Sequence, residues 1–358
     1  MTLTRPKLYL HIGRPKTGST ALQRFLADNA PHLQQAGLLY PLAGRFQQAS
    51  HLFAYACLPQ MCTAAGLPRP DAALLWQQLE RERESSGASA VVLSSENFWF
   101  ASPADLPEDL EQRYDVQVIA YVRRQDNVIA SSFCEEAKAG IVALDSDVEL
   151  YALDGVRLGL LDYLQVLDAW AARFGDERIH VRVYEQVQAR GIQADICELL
   201  GLAPDSLVFA PQPANPSLPY DALRLAAHAD QFALGNMPRR AFLHGLSEAV
   251  EHLPYDADYD AGGLFSGSLR ERILTRFGAS NAEVARRFRQ SPRGELFPGL
   301  VGEHHVHPED ALEPERIAKL MIGLLISQER KCHRLAQRVS RLEKQLEKLL
   351  SAVEKPGD

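Results

Sequence analysis

Apolar residues along the chain fall into three kinds of run. Four short runs rich in Val, Ile, Leu and Tyr, over Lys7–Gly13, Ala90–Ser94, Val116–Val122 and Ile179–Tyr184, have the length and composition of buried strands. Helically patterned stretches separate them, and this alternation predicts a parallel sheet with helices on both faces. Pro211, Pro213, Pro216 and Pro219 then interrupt the pattern. Beyond them the chain reads as mainly helical, from Tyr220 to about His252 and again around Leu269 to Phe288. After Pro314 a third pattern takes over. Leu335, Val339, Leu342, Leu346, Leu349 and Val353 recur at alternating steps of four and three, with Arg, Lys, Glu and Gln between them. That is a heptad seam of about three repeats. It predicts a long helix that either joins subunits, parallel or antiparallel, or packs on its own domain. The expected organisation is one domain over 1–314, made of an α/β core (1–210) and a mainly helical cap (211–314), followed by a C-terminal helix over 315–358 that is a candidate coiled coil.

Composition narrows the class. The chain has 358 residues, 46% hydrophobic and 23% charged, as expected of a globular protein with an ample core. Its net charge of −8 lacks the broad basic field of a sequence-independent nucleic-acid binder, yet a few local cations suffice for a nucleotide. Five Cys, with no Cys-x-x-Cys pair, predict reduced thiols in a cytoplasmic compartment rather than a disulfide framework or zinc site. Neither the first residues nor the longest aliphatic run, Leu320 to Ile326, reads as a membrane span. Two segments resemble metal sites only superficially. Asp256, Asp258 and Asp260 open like a calcium loop, but the Gly comes one place late and no Glu closes the twelfth position. Glu303-His304-His305-Val306-His307 has ligand chemistry but sits between Gly and Pro in a predicted loop. No metal is expected.

The richest chemistry lies where the first strand runs out. Gly13-Arg14-Pro15-Lys16-Thr17-Gly18 forms a Gly-bracketed turn, and Ser19 and Thr20 open a helix. A strand–loop–helix of this kind gathers backbone N–H groups and hydroxyls at the positive end of a helix dipole, a site for a phosphate or another tetrahedral anion. Lys16 adds a compact charge. The Gly13-to-Gly18 spacing is that of a P-loop, but Ser19 stands where the Lys of a nucleoside-triphosphate loop follows the second Gly.

With Lys moved ahead of the second Gly, Pro15-Lys16-Thr17-Gly18-Ser19-Thr20 resembles the 5′-phosphosulfate loop of sulfotransferases that use 3′-phosphoadenosine-5′-phosphosulfate (PAPS). A second motif points the same way. The third strand ends in Arg123, and Ser131 follows eight residues later with Val128 and Phe133 around it, which resembles the family's 3′-phosphate motif; Gln125 stands where the pattern commonly has Pro. An aromatic-studded helix with Tyr163, Trp170 and Phe174, then a strand ending in Tyr184-Glu185, is similar to the family core. The likeness covers residues 7 to 210. Beyond it, Asn215 to Leu218 and Phe277, Ser280 and Asn281 are similar to bacterial members. The family's Arg-Lys-Gly has only Arg293-Gly294 in its place, and Ala21 replaces an aromatic that often follows the loop.

The resemblance implies a P-loop-like α/β fold and PAPS as co-substrate, with adenosine 3′,5′-bisphosphate as product. It also implies a hydroxyl acceptor of the carbohydrate class, a glycan or glycolipid. It assigns Arg14, Lys16, Thr17, Gly18, Ser19, Thr20, Arg123 and Ser131 to PAPS, with Lys16 also stabilising charge in the reaction. The general base stands at the end of a strand between the two motifs, which selects Glu96; His51 is the rival. Two other readings stay open: a P-loop kinase of a small molecule, and a non-catalytic sulfotransferase-fold subunit assembled through its terminal helix.

Overall fold

The computed structural model describes residues 5–143, 146–188, 190–204, 207–209, 218–230, 236–251, 261–291, 294–297 and 314–353. The chain forms two compact units, one made of 1–129, 152–213 and 267–302, the other of 130–151, 214–266 and 303–358.

The first unit carries a five-stranded sheet: β1 (Lys7–His11), β2 (Leu38–Leu39), β3 (Ala90–Ser94), β4 (Asp115–Val122) and β5 (Ile179–Val183). The order is β2-β3-β1-β4-β5, and every neighbouring pair is parallel. The expected α/β class and parallel sheet are therefore observed. β2, two residues long, is an addition that no apolar run announced. β1 lies at the centre, with Leu8, Leu10, Val91, Leu93, Val118 and Ile119 fully buried. Strands covered on both faces read as continuous apolar runs, which is why these segments were recognisable. One face packs on Ser19–Asp28 and Ile192–Leu200 through Leu22, Phe25, Leu26 and Ile196.

With β3 and β4 on either side of β1, the carboxyl ends of the three strands, at His11, Ser94 and Val122, come together at one edge. Ligands of parallel α/β sheets sit beyond such ends.

In the second unit, Leu218, Ala222, Leu223, Leu246 and Val250 form a core with Leu320 of the helix Pro314–Val353. That 40-residue helix matches the long C-terminal helix expected. No helix among the described residues is long and apolar enough to cross a membrane. Asp256, Asp258 and Asp260, Glu303 to His307, Asn215, Pro216, Ser217 and Arg293 lie outside the described residues.

Candidate anion and acceptor site

The loop after β1 departs from ordinary backbone at three points: Gly13 (φ 42°), Lys16 (φ 73°) and Gly18 (φ 82°) all take positive φ. Glycine occupies two of them at no steric cost. Lys16 does not, and a non-glycine residue held there is a strained position of the sort that marks functional loops. A Cβ on Gly18 would stand 3.1 Å from the Tyr184 ring and 3.3 Å from Ile192, so the second Gly is also needed for close packing. The turn is held by Thr17, fully buried, whose hydroxyl donates to the Arg14 carbonyl, and by Arg123, whose Nη1 donates to the Lys16 carbonyl at 3.2 Å.

Helix Ser19–Asp28 follows directly. Its N-cap is Gly18, no side chain caps it, and its first turn contains no acid. Its leading N–H groups therefore keep their positive end for a ligand. Arg14 adds an 8%-exposed guanidinium whose Nη1 donates to Pro15 O at 2.9 Å, while its Nε has no hydrogen-bond partner. Burial pushes the Arg14 pKa down, the sign of a cation short of compensating solvent or charge. An anion against this loop would supply that compensation.

A second cluster stands at the end of β3. Glu96 opens a 3-10 turn, Glu96–Phe100, capped by Ser95. Its Oε2 accepts from Gln23 Nε2 at 2.6 Å, which ties the carboxylate to the helix that the loop opens. A Cβ on Gly13 would stand 3.5 Å from the Glu96 Cα. His51, first residue of the helix His51–Cys57, has its Nδ1 2.8 Å from Ser95 Oγ and 3.2 Å from Asn97 Nδ2, and its ring stacks on Tyr55. Burial lowers the His51 pKa, and the Glu96 charge opposes this, so the two groups sense each other. Beneath them lies His11, fully buried, with Nδ1 2.7 Å from Ser94 Oγ and no partner for Nε2. Burial pushes its pKa down to about 3, and it stays neutral.

Arg123, at the end of β4, completes the loop side. Its guanidinium lies over the Tyr184 ring, 5.3 Å from the centroid, and 3.9 Å from Glu185. Glu185 Oε1 accepts from the Arg124 N–H at 3.0 Å and from Asn127 at 3.1 Å, fixing the entry to the helix Gln125–Lys138. Within that entry Asp126 is fully buried between Arg124 (2.8 Å) and Arg270 (2.7 Å), and Gln125 exchanges amide hydrogen bonds with Asn281.

Arg14, Lys16, Thr17 and Gly18 thus occupy one loop, Ser19 and Thr20 open the helix it leads into, Arg123 bonds to the loop backbone, and Glu96 and His51 form a neighbouring pair. Ser131 lies two turns further along Gln125–Lys138, half-buried, past the residue where the second unit begins. Sequence reasoning gave no site role to His11, Gln23, Ser95 or Asn97, and read Tyr184 only as part of the core. Ser95 and Asn97 flank Glu96 in sequence. Gln23 and His11 had no local signal, because their partners lie 73 and 83 residues away.

No protein-family model matches the chain, and no curated protein matches it at a significant level. Two solved structures similar to it are sulfotransferases. One, from Alicyclobacillus acidocaldarius, has 15% identity and a TM-score of 0.45, over 80% of this chain and 97% of that one. The other, the sulfotransferase domain from the curacin biosynthetic pathway, has 17% identity and a TM-score of 0.34, over 78% of this chain and 99% of that one. At identities this low a neighbour carries no residue roles across.

Proposed function

We propose that this protein is a PAPS-dependent sulfotransferase acting on a hydroxyl of a glycan or glycolipid. The observation that carries the proposal is the loop Gly13–Gly18, which joins a positive-φ Lys, a buried Arg14 with an unpartnered Nε and an uncapped helix start. These features suit a tetrahedral anionic group. Arg123, attached to the same loop, offers the fork of donors that a dianionic 3′-phosphate takes. Lys16 and the leading N–H groups of the helix oppose charge that grows on the sulfuryl and bridging oxygens, electrostatic preorganisation as in phosphoryl transfer. Glu96 takes the proton of the acceptor hydroxyl, and His51 helps to seat the acceptor.

Calorimetry with adenosine 3′,5′-bisphosphate against ATP tests the donor. Tight bisphosphate binding with weak ATP binding is expected, and the reverse order assigns a kinase instead. Transfer from PAPS to a panel of cell-envelope glycans, glycolipids and phenols, read by an 80-Da mass gain (one SO3), tests the acceptor. Lys16→Ala is expected to abolish transfer while the thermal transition stays in place, and a variant with near wild-type transfer overturns the loop assignment.

A further inference from the structure

The 40-residue helix Pro314–Val353 divides into two halves with different surroundings. Its first half packs inside the second unit. Leu320 is fully buried, Leu324 approaches Gly245, Gly323 lies against Ala249, and Ser327 donates to Glu248, all on the helix Asn236–Glu251. From Glu329 to Leu346 every residue is exposed. This 18-residue stretch is about 27 Å of helix. A helix of that length alone in water is marginal, and most helical stability in proteins comes from packing an apolar face. This one has such a face. Leu325, Leu335, Val339, Leu342 and Leu346 are 53% to 65% exposed and lie on one heptad stripe, with Cys332 exposed between Leu325 and Val339. The cis contacts at Leu320, Gly323, Leu324 and Ser327 occupy other heptad positions, and although Gln328, at d, also lies beside Gly245, the stripe from Glu329 onward is left open.

The residues beside the stripe say what covers it. With Leu325, Cys332, Val339 and Leu346 at position a and Leu335 and Leu342 at d, the flanking e positions of the exposed stretch are Glu329, Ala336 and Glu343, and the g positions are Lys331, Arg338 and Gln345. Every charge at e is acidic and every charge at g is basic. In a parallel pair g faces the e of the next heptad, which sets Arg338 of each copy against Glu343 of the other. In an antiparallel pair g faces g and e faces e, which sets like charges together. Charges at e and g set partner choice and orientation, and Val at a with Leu at d favours two strands.

We propose that two copies of this chain pair through this stripe as a parallel, in-register, two-stranded coiled coil, with the two Cys332 thiols facing each other at one layer. The proposal is independent of the reading of the catalytic site.

Sedimentation of the full chain tests it, with twice the 39.8 kDa chain mass expected. Mild copper–phenanthroline oxidation then reads orientation. A covalent dimer is expected, absent in Cys332→Ser, because the other four cysteines are buried or half-buried. Leu335→Lys with Leu342→Lys, both on the solvent surface, is expected to give a monomer with an unchanged melting temperature. Arg338→Glu is expected to raise the dimer dissociation constant about three- to tenfold, and adding Glu343→Arg to restore it. A monomeric or trimeric wild type, a dimer that does not cross-link through Cys332, or a dimer that survives the two Lys substitutions overturns the proposal.

Discussion

The two halves of the candidate site are built on opposite principles. The loop side, Gly13 to Thr20, is a continuous segment whose geometry is set by its own backbone: positive φ at Gly13, Lys16 and Gly18, and a helix start left uncapped. The proposed acceptor side, at the end of β3, is built from side chains out of separate segments: His11, Gln23, His51 and Ser94 to Asn97. The first half is electropositive, with Arg14 and Arg123 tied to the loop's carbonyls. The second holds one carboxylate and two imidazoles whose pKa values lie below the ordinary range. A segment of the first kind holds an anion without a general base. A cluster of the second kind can move a proton without an anion site. Group transfer to a hydroxyl needs both, within reach of each other, and the Gln23–Glu96 hydrogen bond is the link between them.

The division of labour is most exposed at Glu96. Glu96→Gln keeps an oxygen for the Gln23 amide but cannot take a proton. It is expected to lower acceptor-dependent turnover by about 10²–10⁴-fold, the range for losing a general base. Affinity for adenosine 3′,5′-bisphosphate, measured by calorimetry, should stay within about twofold. His51→Asn should cost less, and mainly in KM for the acceptor. A fully active Glu96→Gln beside a dead His51→Asn transfers the role of base to the imidazole. A large loss of nucleotide affinity in Glu96→Gln instead makes the carboxylate part of the loop's support and removes the division altogether.

Stability against pH separates the halves in another way. His11 has a folded pKa of about 3 and an unfolded value near 6.5, so the unfolded chain binds its proton first. Its contribution is complete above about pH 7 and is lost as pH falls from about 6.5 toward 3. The full loss is on the order of 4–5 kcal/mol, of which about 2–3 kcal/mol falls above pH 4.5. His51, lowered in the same direction, adds to the slope. Urea unfolding between pH 7.5 and 4.5 should show wild type losing more stability than His11→Gln. Parallel pH curves for the two proteins place a charged, solvated imidazole at His11 and rule out a buried neutral one.

These two halves were not equally legible in the sequence. The parallel sheet could be read because its strands are buried on both faces and so form unbroken apolar runs. The loop could be read because six consecutive residues carry its geometry. Glu96 could be placed by its position at a strand end. What escaped was assembly at a distance. Nothing near His51 says that its imidazole meets Ser95 and Asn97, and nothing near Gln23 says that it reaches Glu96; the first follows from Ser50, whose N–H donates to the Ser94 carbonyl at the end of β3, and the second from the placement of β3 beside β1. β2 escaped because two residues, Leu38 and Leu39, are too short to show a period. Asp126 escaped for a related reason: as a buried carboxylate it depends on Arg270, 144 residues away.

Arg123 is where the proposed ligand contact and a structural one overlap, and it gives the finest test. Its guanidinium donates to the Lys16 carbonyl, lies over Tyr184 and stands near Glu185, so it already has a structural role at the loop. If it also binds the 3′-phosphate, Arg123→Ala should weaken adenosine 3′,5′-bisphosphate more than adenosine 5′-phosphate. A charged hydrogen bond contributes about 1.5–3 kcal/mol, so the selective loss should be about 10- to 150-fold. Arg123→Lys, which keeps the charge but not the fork, should fall between. If the residue only props the loop, both nucleotides weaken by the same factor, since both place a phosphate against Gly13–Gly18. The ratio of the two losses, rather than either loss alone, measures how far the loop side extends along β4.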